Sequence, residues 1–201
     1  PRSGTTMTEQ IIGAHPDAQG VGELRNIRSM ARKLAPPGGA SKFVRLVREA
    51  APASFRQLPQ SYLSLLNFLA PGKKRQVDKM PHNFLAIGFI VLCFPRARIV
   101  HVHRDPLDNF ISAYQNAMNE FHSYSYDQSV YGRYYLTYRR LMAHWQAALP
   151  GRIFDWPYDQ VVMQPERYTR DLIAYLGLPW HDDCLRFHEK ATTVKTFSMH
   201  Q

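Results

Sequence analysis

The chain opens on Pro1-Arg2-Ser3-Gly4-Thr5-Thr6, and about a hundred residues on it reads His103-Arg104-Asp105-Pro106, with Ser112 further along. A glycine-containing turn that enters a helix aims backbone N–H groups and the positive end of the helix dipole at an anion. A strand ending in arginine, followed by a helix carrying serine, suits a second anion some distance away. Arginine fits that task because its planar fork makes charge-assisted, bidentate bonds to phosphate. The chemistry these residues point to is the grip on one small molecule with two separate phosphate-like groups. The opening hexapeptide is not an ATP-type loop. That loop needs G-x-x-x-x-G-K-[ST], and here Thr5-Thr6-Met7 follows Gly4. Simple NTP hydrolysis is therefore disfavoured, and so is a nucleotide kinase, since no Walker-B aspartate pattern is present. A helix start capped by Ser3 or Thr5 is the plain alternative for the hexapeptide taken alone.

Two further residues stand at positions where chemistry could occur. Lys79 ends a short strand just before Pro81, and a parallel sheet presents such strand ends at its ligand edge. Glu23 follows Gly22 where the chain returns towards the opening loop; a helix-start carboxylate favoured by the macrodipole is its plain reading.

Together these stretches resemble the sulfotransferases that use 3′-phosphoadenosine 5′-phosphosulfate (PAPS). The resemblance is strongest to tyrosylprotein sulfotransferases and to bacterial sulfotransferases linked to tetratricopeptide repeats. Gly22-Glu23, Asp78-Lys79-Met80-Pro81, residues 157–162, Gln164-Pro165-Glu166-Arg167, Leu178-Pro179-Trp180 and the terminal Ser198-Met199-His200-Gln201 match as well. The resemblance spans nearly the whole chain and says nothing of the acceptor. It implies transfer of a sulfuryl group from PAPS to a hydroxyl of a peptide tyrosine, a saccharide or a small molecule, with PAP as product. It places the 5′-phosphosulfate on Arg2, Ser3, Gly4, Thr5 and Thr6, and the 3′-phosphate on Arg104 and Ser112, with Tyr158 near the nucleotide. Glu23 becomes the general base, Lys79 the group that stabilises the leaving oxygen, and Arg2 and Ser198 contacts of the sulfuryl group. Asn116 stands where the tyrosylprotein pattern has arginine. A domain that binds PAPS or PAP without turnover is the alternative. Many small-molecule sulfotransferases use a histidine base; His15 and His82 lie nearest the motifs but match less well than Glu23.

The length of 201 residues fits a single domain with a real core. A formal charge of +9 suits a polyanionic donor. Nucleic acid is disfavoured, because Lys73-Lys74-Arg75 is the longest basic run and no nucleic-acid module is present. Cys93 and Cys184 have no metal or redox spacing, and no apolar run is long enough to span a membrane. His101 and His103 alternate on a strand, yet no carboxylate or cysteine is spaced along the chain to complete a metal site, so none is expected. Tyr124, Tyr126, Tyr131, Tyr134, Tyr135 and Tyr138 either pack the start of a long helix or form an aromatic wall for the acceptor. A bacterial source would place the chain in the cytoplasm. Tetratricopeptide repeats ahead of it and a homodimer are both compatible with the resemblance.

The elements that must position these residues follow from periodicity and breakers. Helices are expected over 5–15, 24–34, 55–69, 81–94, 107–119, 130–149 and 165–176, with another capped by Ser41. Strands are expected over 75–79, 98–104 and 153–156, and a short extended segment over 20–23. Strands alternating with helices imply an α/β, P-loop-like three-layer fold, a central parallel sheet flanked by helices. Such a loop needs a strand ahead of it, so the chain reads as a domain lacking its first strand and its C-terminal closure.

Overall fold

A computed structural model describes residues 1–34, 55, 59–116 and 120–189. Helix α1 (Thr5–Gly13) follows the opening loop and leads into β1 (Ala18–Gly22), then α2 (Asn26–Leu34). After α3 (Gln60–Leu69) come β2 (Arg75–Asp78), a 3₁₀ segment (Pro81–Ala86) and α4 (Ile87–Cys93). The second half runs β3 (Ile99–His103), α5 (Pro106–Tyr114), α6 (Gln128–Ala148), β4 (Ile153–Pro157), α7 (Tyr158–Met163) and α8 (Pro165–Tyr175). The helix expected from Ser41 and the terminal Ser198 motif lie outside the described residues.

The strands are parallel, as their alternation with helices requires. Among the described residues they form two pairs, β1 with β2 and β3 with β4, rather than one continuous sheet. Gly20 pairs with Val77 but Gly22 with Asp78, so β1 carries an irregularity at its end. In the second pair His101 stands opposite Asp155 and Val102 opposite Trp156.

Side chains alternate across each strand, and this decides what is buried. Val100, Val102 and Phe154 pack on a core of Ile11, Ile12, Trp156, Val161, Leu172 and Ile173, joining α1, α7 and α8 to the second strand pair. His101 and His103 therefore point to the opposite face, towards α6, where His101 meets Tyr138. A second core gathers Ile27, Tyr62, Leu66, Phe89 and Cys93 from α2, α3 and α4. Cys93 and Cys184 are both buried and free. Burial pushes the Cys93 thiol up to about 11, which makes it a small hydrophobe rather than a nucleophile.

The segment expected as one helix over 81–94 divides. Its first half is 3₁₀, because the Asn83 amide bonds back to the Met80 carbonyl while its side chain reaches Asp78. Gly177, at φ 68°, ends α8 as expected, and the Leu178 amide closes onto the Ile173 carbonyl. No described helix is long and apolar enough to cross a membrane.

Candidate active site

Both Arg2 (φ 61°) and Gly4 (φ 94°) take left-handed backbone in the opening loop. Gly4 is the N-cap of α1 and makes no side-chain cap bond, so no cap side chain occupies the first-turn amides. Neither Ser3 nor Thr5 serves as the cap. A Cβ at Gly4 would lie 2.2 Å from Tyr158 Cδ2, so only glycine fits both the backbone and the ring above it. Tyr158 is thereby fixed over the loop, and the Arg104 guanidinium lies 5.0 Å from its ring centre.

Arg104 follows β3, and Asp105 caps α5 by accepting from the amides of Leu107 and Asp108. The Asp105 amide donates to Asp159 at 2.8 Å, which ties the start of α5 to α7. Arg104 reaches Asp108 at 3.4 Å, and its buried Nε makes no hydrogen bond although Asp159 Oδ1 lies 3.9 Å away. A buried guanidinium N–H that makes no hydrogen bond is what a phosphate oxygen would satisfy. Arg2 Nε donates to Ser112 Oγ at 3.0 Å, so the loop and the serine of α5 meet directly. Burial, and second the charge of Arg104, lowers the Arg2 guanidinium from its ordinary value. Two arginines repelling across a desolvated space are poised for an anion. Asn116 turns back to donate to the Ser112 carbonyl at 2.7 Å, a local helix-end bond.

Lys79 and Glu23 meet at the ends of the first strand pair. The Lys79 amide donates to the Gly22 carbonyl at 2.9 Å, extending the pairing past Asp78. That extension sets Glu23 beside Lys79, whose Nζ donates to Glu23 Oε1 at 2.5 Å. The Lys79 side chain is 6% exposed and that of Glu23 37%, so the ammonium is held inside while the carboxylate reaches solvent.

Sequence reasoning passed over Glu9. From α1 its carboxylate accepts from the Gly22 amide at 2.8 Å, and Gly20 leaves room for it, since a Cβ there would sit 2.6 Å from Oε1. Burial raises the Glu9 carboxyl above its usual range. Asp78 is likewise raised by burial, though Tyr62, Asn83 and the Leu24 amide all donate to it. Glu9 sits on the helix face opposite no recognisable motif, so only its i, i+3 relation to the buried Ile12 hinted that it turns inward.

His15 is excluded as a base. Its Nδ1 accepts from the Asp17 amide and its Nε2 donates to the Pro179 carbonyl, so both nitrogens are used in the fold. His82 stacks on His122 at 5.0 Å, and burial pushes its imidazole down to about 4. Tyr124 stacks on Tyr134 with centroids 3.9 Å apart.

Ser3, Thr5, Lys79 and Arg104 line one cavity of about 1180 Å³, with Tyr124, Tyr134 and Tyr138 on its wall. It also runs along β2 as far as Lys79 and along β3 as far as Arg104. Ser3 and Thr5 of the loop, Lys79 and Arg104 thus line one space. Arg2 bonds to Ser112 rather than to the Lys79–Glu23 pair, and neither Arg2 nor Ser112 lines that cavity.

The family described as "Sulfotransferase family" matches residues 1–182. An uncharacterized protein of Aquifex aeolicus (strain VF5) is 33% identical over 209 residues, covering 100% of this chain and 28% of its own length. Protein-tyrosine sulfotransferase 1 of Danio rerio is 23% identical over 202 residues, covering 94% of this chain and 54% of its own. The chain therefore spans about half the length of these curated relatives, or less. Among solved structures, the sulfotransferase domain of the Synechococcus PCC 7002 olefin synthase superposes with a TM-score of 0.65 at 17% identity, covering 94% of this chain and 74% of that one. Sulfotransferase STF9 from Mycobacterium avium gives 0.55 at 18% identity, covering 94% and 65%. These likenesses carry the fold: parallel strands flanked by helices, with a P-loop-like opening.

Proposed function

The chain belongs to the sulfotransferase family, and from that premise we propose that it moves a sulfuryl group from PAPS to an acceptor hydroxyl. The observation that carries this reading is the Lys79–Glu23 pair, with Lys79 on the same cavity as Ser3, Thr5 and Arg104. Sulfuryl transfer needs the donor held in line, charge neutralised on the leaving oxygen, and the acceptor proton removed. The amides that begin α1 take the 5′-phosphosulfate, while Arg104, whose Nε makes no hydrogen bond, takes the 3′-phosphate with Ser112. Lys79 turns to the bridging oxygen as the bond to sulfur lengthens. That movement frees Glu23 to accept the hydroxyl proton.

The test is transfer of radiolabelled sulfate from PAPS by the complete gene product to tyrosine peptides, saccharides and small phenols. Label appearing on any of these supports the reading. PAP binding by calorimetry with no transfer to any of them would leave a donor-binding domain instead.

A further inference from the structure

We propose that His101, His103 and Asp155 form a binding site for a divalent transition-metal ion of the Zn²⁺ class. Sequence spacing offers only the two histidines; the third group comes from β4, where Asp155 stands opposite His101 in the strand register. Because His101 and His103 are two residues apart on β3, both rings leave the same face, and they stack with centroids 5.2 Å apart. One ligand atom from each of the three residues lies within 4.8 Å of the others.

The separations suit a shared ion. His101 Nδ1 is 3.1 Å from Asp155 Oδ1, and His103 Nε2 is 2.9 Å from Oδ2. Two ligand atoms each about 2.1 Å from one ion stand about 3.4 Å apart in a tetrahedron and about 3 Å apart at right angles, so a small opening of the cluster admits the ion. Two imidazoles and a carboxylate on one face leave the remaining positions open, a set that Zn²⁺, Co²⁺ and Ni²⁺ accept. The carboxylate of Asp155 only accepts hydrogen bonds, so in the ion-free chain the facing nitrogens carry the hydrogens. On binding, the His101 proton moves to Nε2, which lies 2.5 Å from the Tyr138 hydroxyl. A hydrogen bond to the far nitrogen is the support a metal-bound histidine needs. The His101 side chain is 12% exposed and that of Asp155 54%, so the site is anchored on one side and reachable from solvent on the other.

His101 and His103 line the same cavity as Lys79, but the metal site is built from other side chains and does not rest on the proposed transfer. The ion would bridge β3 and β4 beneath α6, immediately before Arg104.

The test is titration of the tag-free, full chain with Co²⁺, followed by its visible ligand-field absorption, and with Zn²⁺ by calorimetry. The expected result is one ion per chain. H103A and D155N should each weaken binding at least about 100-fold, and Y138F about 10-fold, in line with loss of a supporting bond. H188A, at an exposed histidine outside the cluster, should bind as the native chain does. If H103A or D155N fails to fold, H103C decides, because a thiolate ligand at that position adds a sulfur-to-cobalt charge-transfer band. Absence of that band, no binding by the native chain, or equal binding by native chain, H103A and D155N would each overturn the proposal.

Discussion

Lys79 Nζ donates to Glu23 Oε1 across 2.5 Å, although 56 residues separate them along the chain. The two groups proposed for opposite ends of the reaction are thus hydrogen-bonded to each other. This sets how each should be tested. Glu23→Ala would leave the Lys79 ammonium, only 6% exposed, without its carboxylate partner. Glu23→Gln keeps an oxygen for Lys79 and removes only the basicity.

Glu23→Gln is therefore expected to lower kcat by about 10²–10⁴, the range for a positioned base, with donor affinity unchanged. Lys79→Ala should lower kcat by about 10²–10³, as for one preorganised donor. On a series of phenols of falling pKa, the Glu23 variant should recover and the Lys79 variant much less. Parallel recovery would exchange or cancel the two roles.

Arg104→Ala is expected to weaken PAP by about 1.5–3 kcal/mol, the scale of a hydrogen bond to a charged group. Adenosine 5′-phosphosulfate has no 3′-phosphate and should lose little. Calorimetry with both ligands checks this; equal losses would move Arg104 away from the 3′-phosphate.

Gly4→Ala places a methyl 2.2 Å from Tyr158 Cδ2 on backbone of φ 94°. The left-handed backbone costs about 1–2 kcal/mol and the overpacking about 1–3 kcal/mol. Denaturant unfolding should show a loss of that combined order. Adding Tyr158→Ala should restore the packing part and leave the backbone part. A Gly4→Ala chain as stable as the native one would contradict the loop geometry.

His82, pushed down to about 4 by burial, is favoured neutral in the fold. A folded value below the unfolded one, near 6.5, stabilises the chain above pH 6.5. That stability is lost as pH falls from about 6.5 through about 4. Discounted for partial exposure, the loss is on the order of 1–2 kcal/mol. His82→Gln should flatten that part of the unfolding curve against pH. Glu9 and Asp78, both raised, act in the opposite sense, giving stability at low pH that is lost as pH rises through their folded values. Glu9→Gln should lessen that decline and keep an acceptor for the Gly22 amide.

Most elements were legible in the sequence because their signals are local. Pro106, Gly177 and the β-branched run 99–103 act through backbone dihedrals and side-chain alternation within a few residues. The loop, Lys79 and Arg104 stood out for the same reason, as residue types at strand and helix ends, and the structure places them at those ends. Local signals also misled at a few points. The 3₁₀ turn of 81–86 depends on Asn83 reaching Asp78, and the short helix 158–163 falls between a strand and a proline, too brief for periodicity to show.

What tertiary structure alone decided is which groups meet. Parallel pairing of β1 with β2 put Glu23 on Lys79, and folding of α1 over β1 brought Glu9 to the Gly22 amide. The register of β3 on β4 set Asp155 between His101 and His103, a partner that spacing along the chain could not reveal. The same folding used both nitrogens of His15 in backbone bonds and removed it as a base. Composition and periodicity act over a few residues, whereas these contacts join positions tens of residues apart. They exist only once parallel strands, whose connections must cross over, lie side by side.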